Sequence, residues 1–227
     1  MKGEYLNIPV QLLQGAFKDI RETMSNIMDY AGYVHASKLH GDQTKKMIDA
    51  GNYFGITWGN AIRCYKNGET LYNSLPKNSP MTGINKDVLF DFYKNYKTPD
   101  EIAVLLAFLA IKSIIGVKPY SKVTNVYLLS RMAGNASIEE LPEPLVQYAT
   151  RRKMDKIKSE LQLNWNVNIY STHTRGWYVS IDNRFEMNKL ALEAEKRRKS
   201  TTVKQLKQRK DEARRLALDK LINKGKI

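Results

Sequence analysis

Thr98-Pro99-Asp100-Glu101, followed by an almost unbroken apolar run from Ile102 to Ile115, constrains this chain more than any other segment. Thr98 can accept a hydrogen bond from the third amide of a helix, Pro99 suits its first turn, and Glu101 completes a capping box. The run is apolar on most faces and stops at Gly116. A helix that is apolar all round has to be buried, so the spacing predicts a central helix over 99–115 with other elements packed about it. Its longest apolar stretch, Ile102 to Ile111, is about half the ~20 residues a membrane span needs. The N-terminus, Met1-Lys2-Gly3-Glu4, lacks the basic-then-apolar profile of a signal peptide. These features point to a soluble, cytoplasmic protein. Cys64 is the sole cysteine of the 227 residues. It excludes an intramolecular disulfide and a Cys-based structural zinc site.

Ahead of the central helix the periodicity predicts a helical domain over 1–97. Pro9 precedes Leu12, Leu13, Ala16, Phe17, Ile20, Met24, Ile27 and Met28, which fall on one helical face. Asp42 is a cap for a second helix, and Lys86 to Asn95 reads as a third. Lys66-Asn67-Gly68-Glu69 carries the Asn-Gly pair of a β-hairpin, and Pro76 to Gly83 reads as a loop.

The formal charge is +14, and its location matters more than its size. Residues 1–144 are near balance at +2, 145–182 carry +3, and the segment from 183 onward carries +9. An excess of this kind suggests a polyanionic partner. A basic helical C-terminal extension is expected over 183–227, with two helical pieces, Phe185 to Lys199 and Lys204 to Asn223, on either side of Ser200-Thr201-Thr202-Val203. Arg197, Arg198, Lys199, Lys207, Arg209 and Lys210 would stay exposed there and give phosphate affinity without sequence choice. The bland alternative is a solubilising helical extension.

After the central helix come an extended piece (Val117 to Tyr120), a helix (Thr124 to Ala133), and a connection over 137–144. A third helix is expected over about 145–163, with Val146, Thr150, Met154, Ile157 and Leu161 inward. Two strands follow, Trp165 to Tyr170 and Trp177 to Ile181, around a polar tip. In this order of elements, residues 98–182 resemble the winged helix-turn-helix superfamily, although the 137–144 connection is longer than the tight turn usual there. The fold class expected is mainly α with a small β-hairpin: a winged helix preceded by a helical N-terminal domain and followed by a basic helical tail.

The resemblance implies a duplex DNA-binding role. Arg151, Arg152, Lys153, Lys156 and Lys158 on the third helix would face the major groove, where arginine pairs with guanine and lysine neutralises phosphate. His173, Thr174 and Arg175 form the tip, with Arg175 as the wing contact. Ser121, Lys122, Thr124 and Asn125 start the second helix and suit a phosphate. Trp165 and Trp177 read as core residues at the wing root. The expected function is a transcriptional regulator, or a replication or mobilisation factor of a plasmid or phage, associated with the nucleoid. An RNA- or ribosome-associated protein, or a protein-interaction module using the winged helix, stays open. So does a homodimer through the N-terminal domain or the C-terminal helix.

Enzymatic chemistry is not expected. His35 and His40 are five apart and His173 is alone, so no catalytic or metal-binding histidine pair is present. No Gly-x-Ser-x-Gly elbow or phosphate loop occurs. No cofactor, metal or catalytic residue is assigned.

Overall fold

The computed structural model describes residues 4–55, 57–137, 140–171, 176–181 and 186–223. Strand β1 (Tyr5–Pro9) pairs antiparallel with β2 (Met81–Asn85), Leu6 opposite Ile84 and Ile8 opposite Thr82. Between them lie α1 (Ile20–Ser37), α2 (Gln43–Asn52) and α3 (Trp58–Ser74), and α4 (Lys86–Lys94) follows β2. The apolar face that begins at Leu12 is buried as its spacing implied, but it is not one helix. A 3-10 turn over Val10–Leu13 ends at Gln14, and α1 restarts where the Asp19 carboxylate accepts from the Glu22 amide at 2.8 Å.

The Asn-Gly pair at 67–68 is not a hairpin, because α3 runs straight through it. Gly68 sits where α3 crosses α1, and a Cβ there would collide with the Asp29 carbonyl and the Tyr33 side chain. Asn67 donates to Asp29 at 2.7 Å and to Asn26 at 3.1 Å across the same crossing. Glycine here permits two helices to approach, rather than a turn. The loop expected over 76–83 is shorter than its composition suggested. Met81 to Gly83 are strand, paired with a partner more than seventy residues earlier in the chain.

Helix α5 (Pro99–Ile115) carries the full capping box: the Thr98 amide donates to Glu101 at 2.8 Å and the Glu101 amide to Thr98 Oγ1 at 3.3 Å. Ten of its residues are buried, among them Leu105, Leu106, Leu109 and Ile111. One apolar cluster runs from Leu6 and Ile8 through α5 to Val123, Leu128, Met154, Trp177 and Val179. The central helix is thus shared by the β1–β2 sheet, α1 and α4 before it and by β3, α6, α8 and β5 after it, while α9 packs in a separate cluster.

Beyond α5 come β3 (Ser121–Val123), α6 (Asn125–Met132), α7 (Glu143–Val146), a 3-10 turn (Gln147–Ala149), α8 (Arg151–Asn164), β4 (Val167–Ser171) and β5 (Trp177–Ile181). The three strands form one antiparallel sheet in the order β3-β5-β4. The helix expected over about 145–163 is therefore two pieces. Thr150 is extended (φ −67°, ψ 144°), and α8 starts only at Arg151. Tyr148 turns its ring into the core instead, leaving Val146 and Thr150 exposed while Met154, Ile157 and Leu161 stay buried. On α6 the apolar Val126 is exposed, while Leu128, Leu129 and Met132 are buried.

Helix α9 spans Met187–Asn223 without a break. The interruption expected at 200–203 is absent, since Thr201 and Thr202 donate their hydroxyls back to the Arg197 and Arg198 carbonyls at 2.9 and 3.0 Å. β-Branched residues so satisfied are tolerated in a helix. Leu190 and Ala194 pack on Tyr178 at the outer face of the β3-β5-β4 sheet, with Tyr120, Tyr170 and Met187 around them. From Lys196 to Asp219 every residue is exposed.

Candidate nucleic-acid interface

The basic side chains of α8 divide between two flanks of the helix. On one flank Lys153 and Lys156 turn back onto α5, where Asp100 accepts from Lys153 Nζ at 3.0 Å and from Lys156 Nζ at 2.7 Å. The Tyr148 hydroxyl donates to the same carboxylate at 3.1 Å. The hydrogen bonds from Lys156, then Lys153, hold the Asp100 carboxyl well below its usual range, at about 2. Burial, helped by Asp100, pushes the Tyr148 phenol up. The cleft beside this cluster, about 820 Å³, is walled by Phe92, Tyr148 and Trp165 as well as the lysines. Asp100 thus does more than support the start of α5. It ties α8 to the central helix and holds two of the five cations in place.

On the other flank lie Arg151 and Lys158, while Arg152, one turn before Lys156, points outward between the two flanks. Arg151 is almost fully exposed, with a 3.6 Å contact to Asp155. Arg152 is exposed and has no ion pair among the described residues. Lys158 is largely covered. Its Nζ stands 5.0 Å from the Trp177 ring centroid and 4.0 Å from Asp155, and burial pulls its pKa down. A charge held against an aromatic face at this depth is desolvated, so an anion arriving there meets a cation with few waters to displace.

Lys158 shares a cleft of about 450 Å³ with Thr124, Asn125, Val126, Ser171, Gly176 and Trp177. The start of α6, the middle of α8 and the root of the β4–β5 hairpin therefore meet at one place. Each part is held by a specific contact. Thr124 Oγ1 caps α6 by accepting from the Tyr127 amide at 3.2 Å. Asn125 Oδ1 accepts from Trp177 Nε1 at 3.0 Å, fixing the indole under Lys158. Gly176, at φ +93°, lets the hairpin root press on the β3–α6 junction; a Cβ there would stand 2.7 Å from the Val123 carbonyl oxygen.

Of the residues singled out from sequence, Thr124, Asn125 and Lys158 are brought together in this cleft, with Arg151 beside Lys158 on α8 and Arg152 on the outward face of that helix. Ser121 is half-buried, its hydroxyl 3.4 Å from the Ile114 carbonyl, and Lys122 is exposed on β3. Lys153 and Lys156 are held on the opposite flank. His173, Thr174 and Arg175 lie outside the described residues. Arg197 stacks on Tyr120, its guanidinium 5.2 Å from the ring centroid, and Arg198 pairs with Glu195 at 2.7 Å. Lys199, Lys207, Arg209 and Lys210 are exposed along α9. Sequence reasoning missed Asp100, Tyr148 and the role of Trp177. Asp100 carried only the signal of a first-turn residue, and no spacing rule reaches partners 48 to 56 residues away.

Among the described residues no group of three or more His, Cys, Asp or Glu is placed to hold a metal ion, and no helix is long and apolar enough to cross a membrane. The Cys64 thiol is buried, and that burial, with Asp29 beside it, pushes its pKa up. Comparison with protein-family models, with curated proteins and with solved structures finds no significant match to this chain.

Proposed function

We propose that this protein binds duplex DNA through a winged helix formed by residues 98–182, as a transcriptional regulator or as a replication or mobilisation factor of a plasmid or phage. The observation that carries the reading is the meeting of the α6 start, Lys158 and the β4–β5 root in one cleft, beside the exposed Arg151 of α8, with Arg152 exposed on the outward face of the same helix. The element order α5-β3-α6-α7-α8-β4-β5, with the sheet order β3-β5-β4, supports it. In this reading α8 enters the major groove. Arg152 and Arg151 reach base edges or the phosphates beside them, and Lys158 with the α6 start meets the backbone. Lys153 and Lys156, held by Asp100, contribute less. The basic helix α9 adds affinity that does not depend on sequence.

The test is a fluorescence anisotropy titration of labelled duplex DNA and of a folded RNA at ~0.15 M salt. The expected result is preferential binding of the duplex. Equal binding of both, or none to the duplex, overturns the reading; preference for the RNA replaces it with an RNA-binding one.

A further inference from the structure

The exposed part of α9 presents an ordered surface. Residues 196–219 hold ten basic side chains and three acidic ones. Helical geometry returns a side chain to nearly the same face after seven or eleven residues. Lys196, Lys207 and Arg214 are separated by eleven and seven, and so form one line along the helix. Lys199 and Lys210 lie eleven apart on one side of that line. Arg197, Lys204 and Arg215, separated by seven and eleven, lie on the other. Eight of the ten cations thus occupy one broad face. The row of Arg197 continues the line of Leu190, seven residues earlier, and Arg197 itself stacks on Tyr120 beside the docked turns. The other two lines turn away from the sheet, and from Lys199 onward all three are exposed. Twenty residues at 1.5 Å each make this stripe about 30 Å long, close to one turn of B-form DNA.

We infer that this stretch of α9 is a rigid arm that lies in the major groove of duplex DNA beside the site taken by α8. The inference rests on the duplex-DNA reading above and gives α9 a defined binding mode within it. A helix with its side chains is about 10–12 Å across, and the B-form major groove is about 12 Å wide. The two flanking rows of cations then face the two phosphate strands that border the groove. A-form RNA has a deep, narrow major groove that does not admit such a helix. A second copy of α9 is the wrong occupant. Its own stripe repels this one, and the apolar residues Val203, Leu206, Ala213 and Ala217 form a seam interrupted by Lys199 and Lys210.

The test measures binding of the full chain to a 30-base-pair DNA duplex and to an RNA duplex of equal length across a salt series. The variants are a triple K196Q/K207Q/R214Q, the off-stripe R209Q, and V203P, which keeps every charge but breaks the helix beyond its docked turns. On DNA the triple is expected to lower the slope of log K against log salt by about 2.7, near 0.9 per cation. R209Q leaves the slope nearly unchanged. V203P loses at least tenfold in DNA affinity, with circular dichroism showing the chain otherwise folded. RNA binding is weaker and indifferent to V203P. Parental DNA binding by V203P, a per-charge loss from R209Q equal to that of the triple, or equal effects on the RNA duplex overturns the arm. Arg152→Gln separates the two readings. If it has no effect while the α9 variants do, α8 is not the reader and the arm stands; the converse leaves α8 and removes the arm.

Discussion

Asp100 holds three donors at once, and the two lysines among them are cations that α8 would otherwise offer to solvent. Replacing it by asparagine removes the charge and keeps much of the shape. Two outcomes follow at the scale of this residue. Lys153 and Lys156 are released, so Asp100→Asn is expected to raise affinity for duplex DNA several-fold and to steepen its salt dependence by up to two cations' worth, read by anisotropy titration. The contact also makes stability depend on pH. The folded carboxyl titrates at about 2, below its ordinary 3.8. Its contribution is therefore present above the ordinary value and lost as pH falls from about 4 towards 2. Acid unfolding followed by circular dichroism should show the parent losing stability through that window and Asp100→Asn losing less of it. Asp100 is partly exposed, so the effect is modest. None of this was legible locally, because an aspartate in a first turn satisfies a simpler rule, that of favouring a helix N-terminus.

At the scale of elements, legibility followed how local the determining contact is. Helix α5 was readable because its cap and its apolar composition lie within eighteen consecutive residues. The inward set Met154, Ile157 and Leu161 of α8 was readable for the same reason. The break at Thr150 was not, because it depends on Tyr148 reaching Asp100 on another helix. The strand at Met81–Asn85 depends on β1, and the continuity of α3 through Asn67-Gly68 depends on α1. There the hairpin rule met a competing cause for the same two residues. Gly68→Ala distinguishes them. A turn glycine on a surface would tolerate alanine or lose little, whereas at this crossing the added methyl strikes the Asp29 carbonyl. Overpacking of that kind costs ~1–3 kcal/mol. The variant is expected to unfold several degrees below the parent, and a melting temperature within a degree of the parent counts against the close crossing.

At the scale of the whole molecule, the charge separates into parts with different geometry. The body up to residue 144 is near neutral, α8 offers a few cations in fixed positions, and α9 carries a dense row on a helix that touches the body only near its start. Removing 196–227 therefore leaves the buried contacts of Leu190 and Ala194 in place and should leave the melting temperature within about 2 °C. Its effect falls on binding. Contacts to phosphate carry no sequence information, so the shortened chain is expected to lose affinity for every duplex by a similar factor, with a shallower salt slope. Arg152→Ala acts in the opposite way. A base-edge contact contributes ~1–3 kcal/mol of discrimination, so its loss should narrow the spread between the best and worst sequences more than it lowers the mean. Competitive selection from a pool of randomised duplexes, sequenced before and after binding, reads both quantities in one measurement. If the two changes give the same uniform loss, α8 contributes only charge. Sequence choice would then have to come from the segment between β4 and β5 or from another part of the molecule.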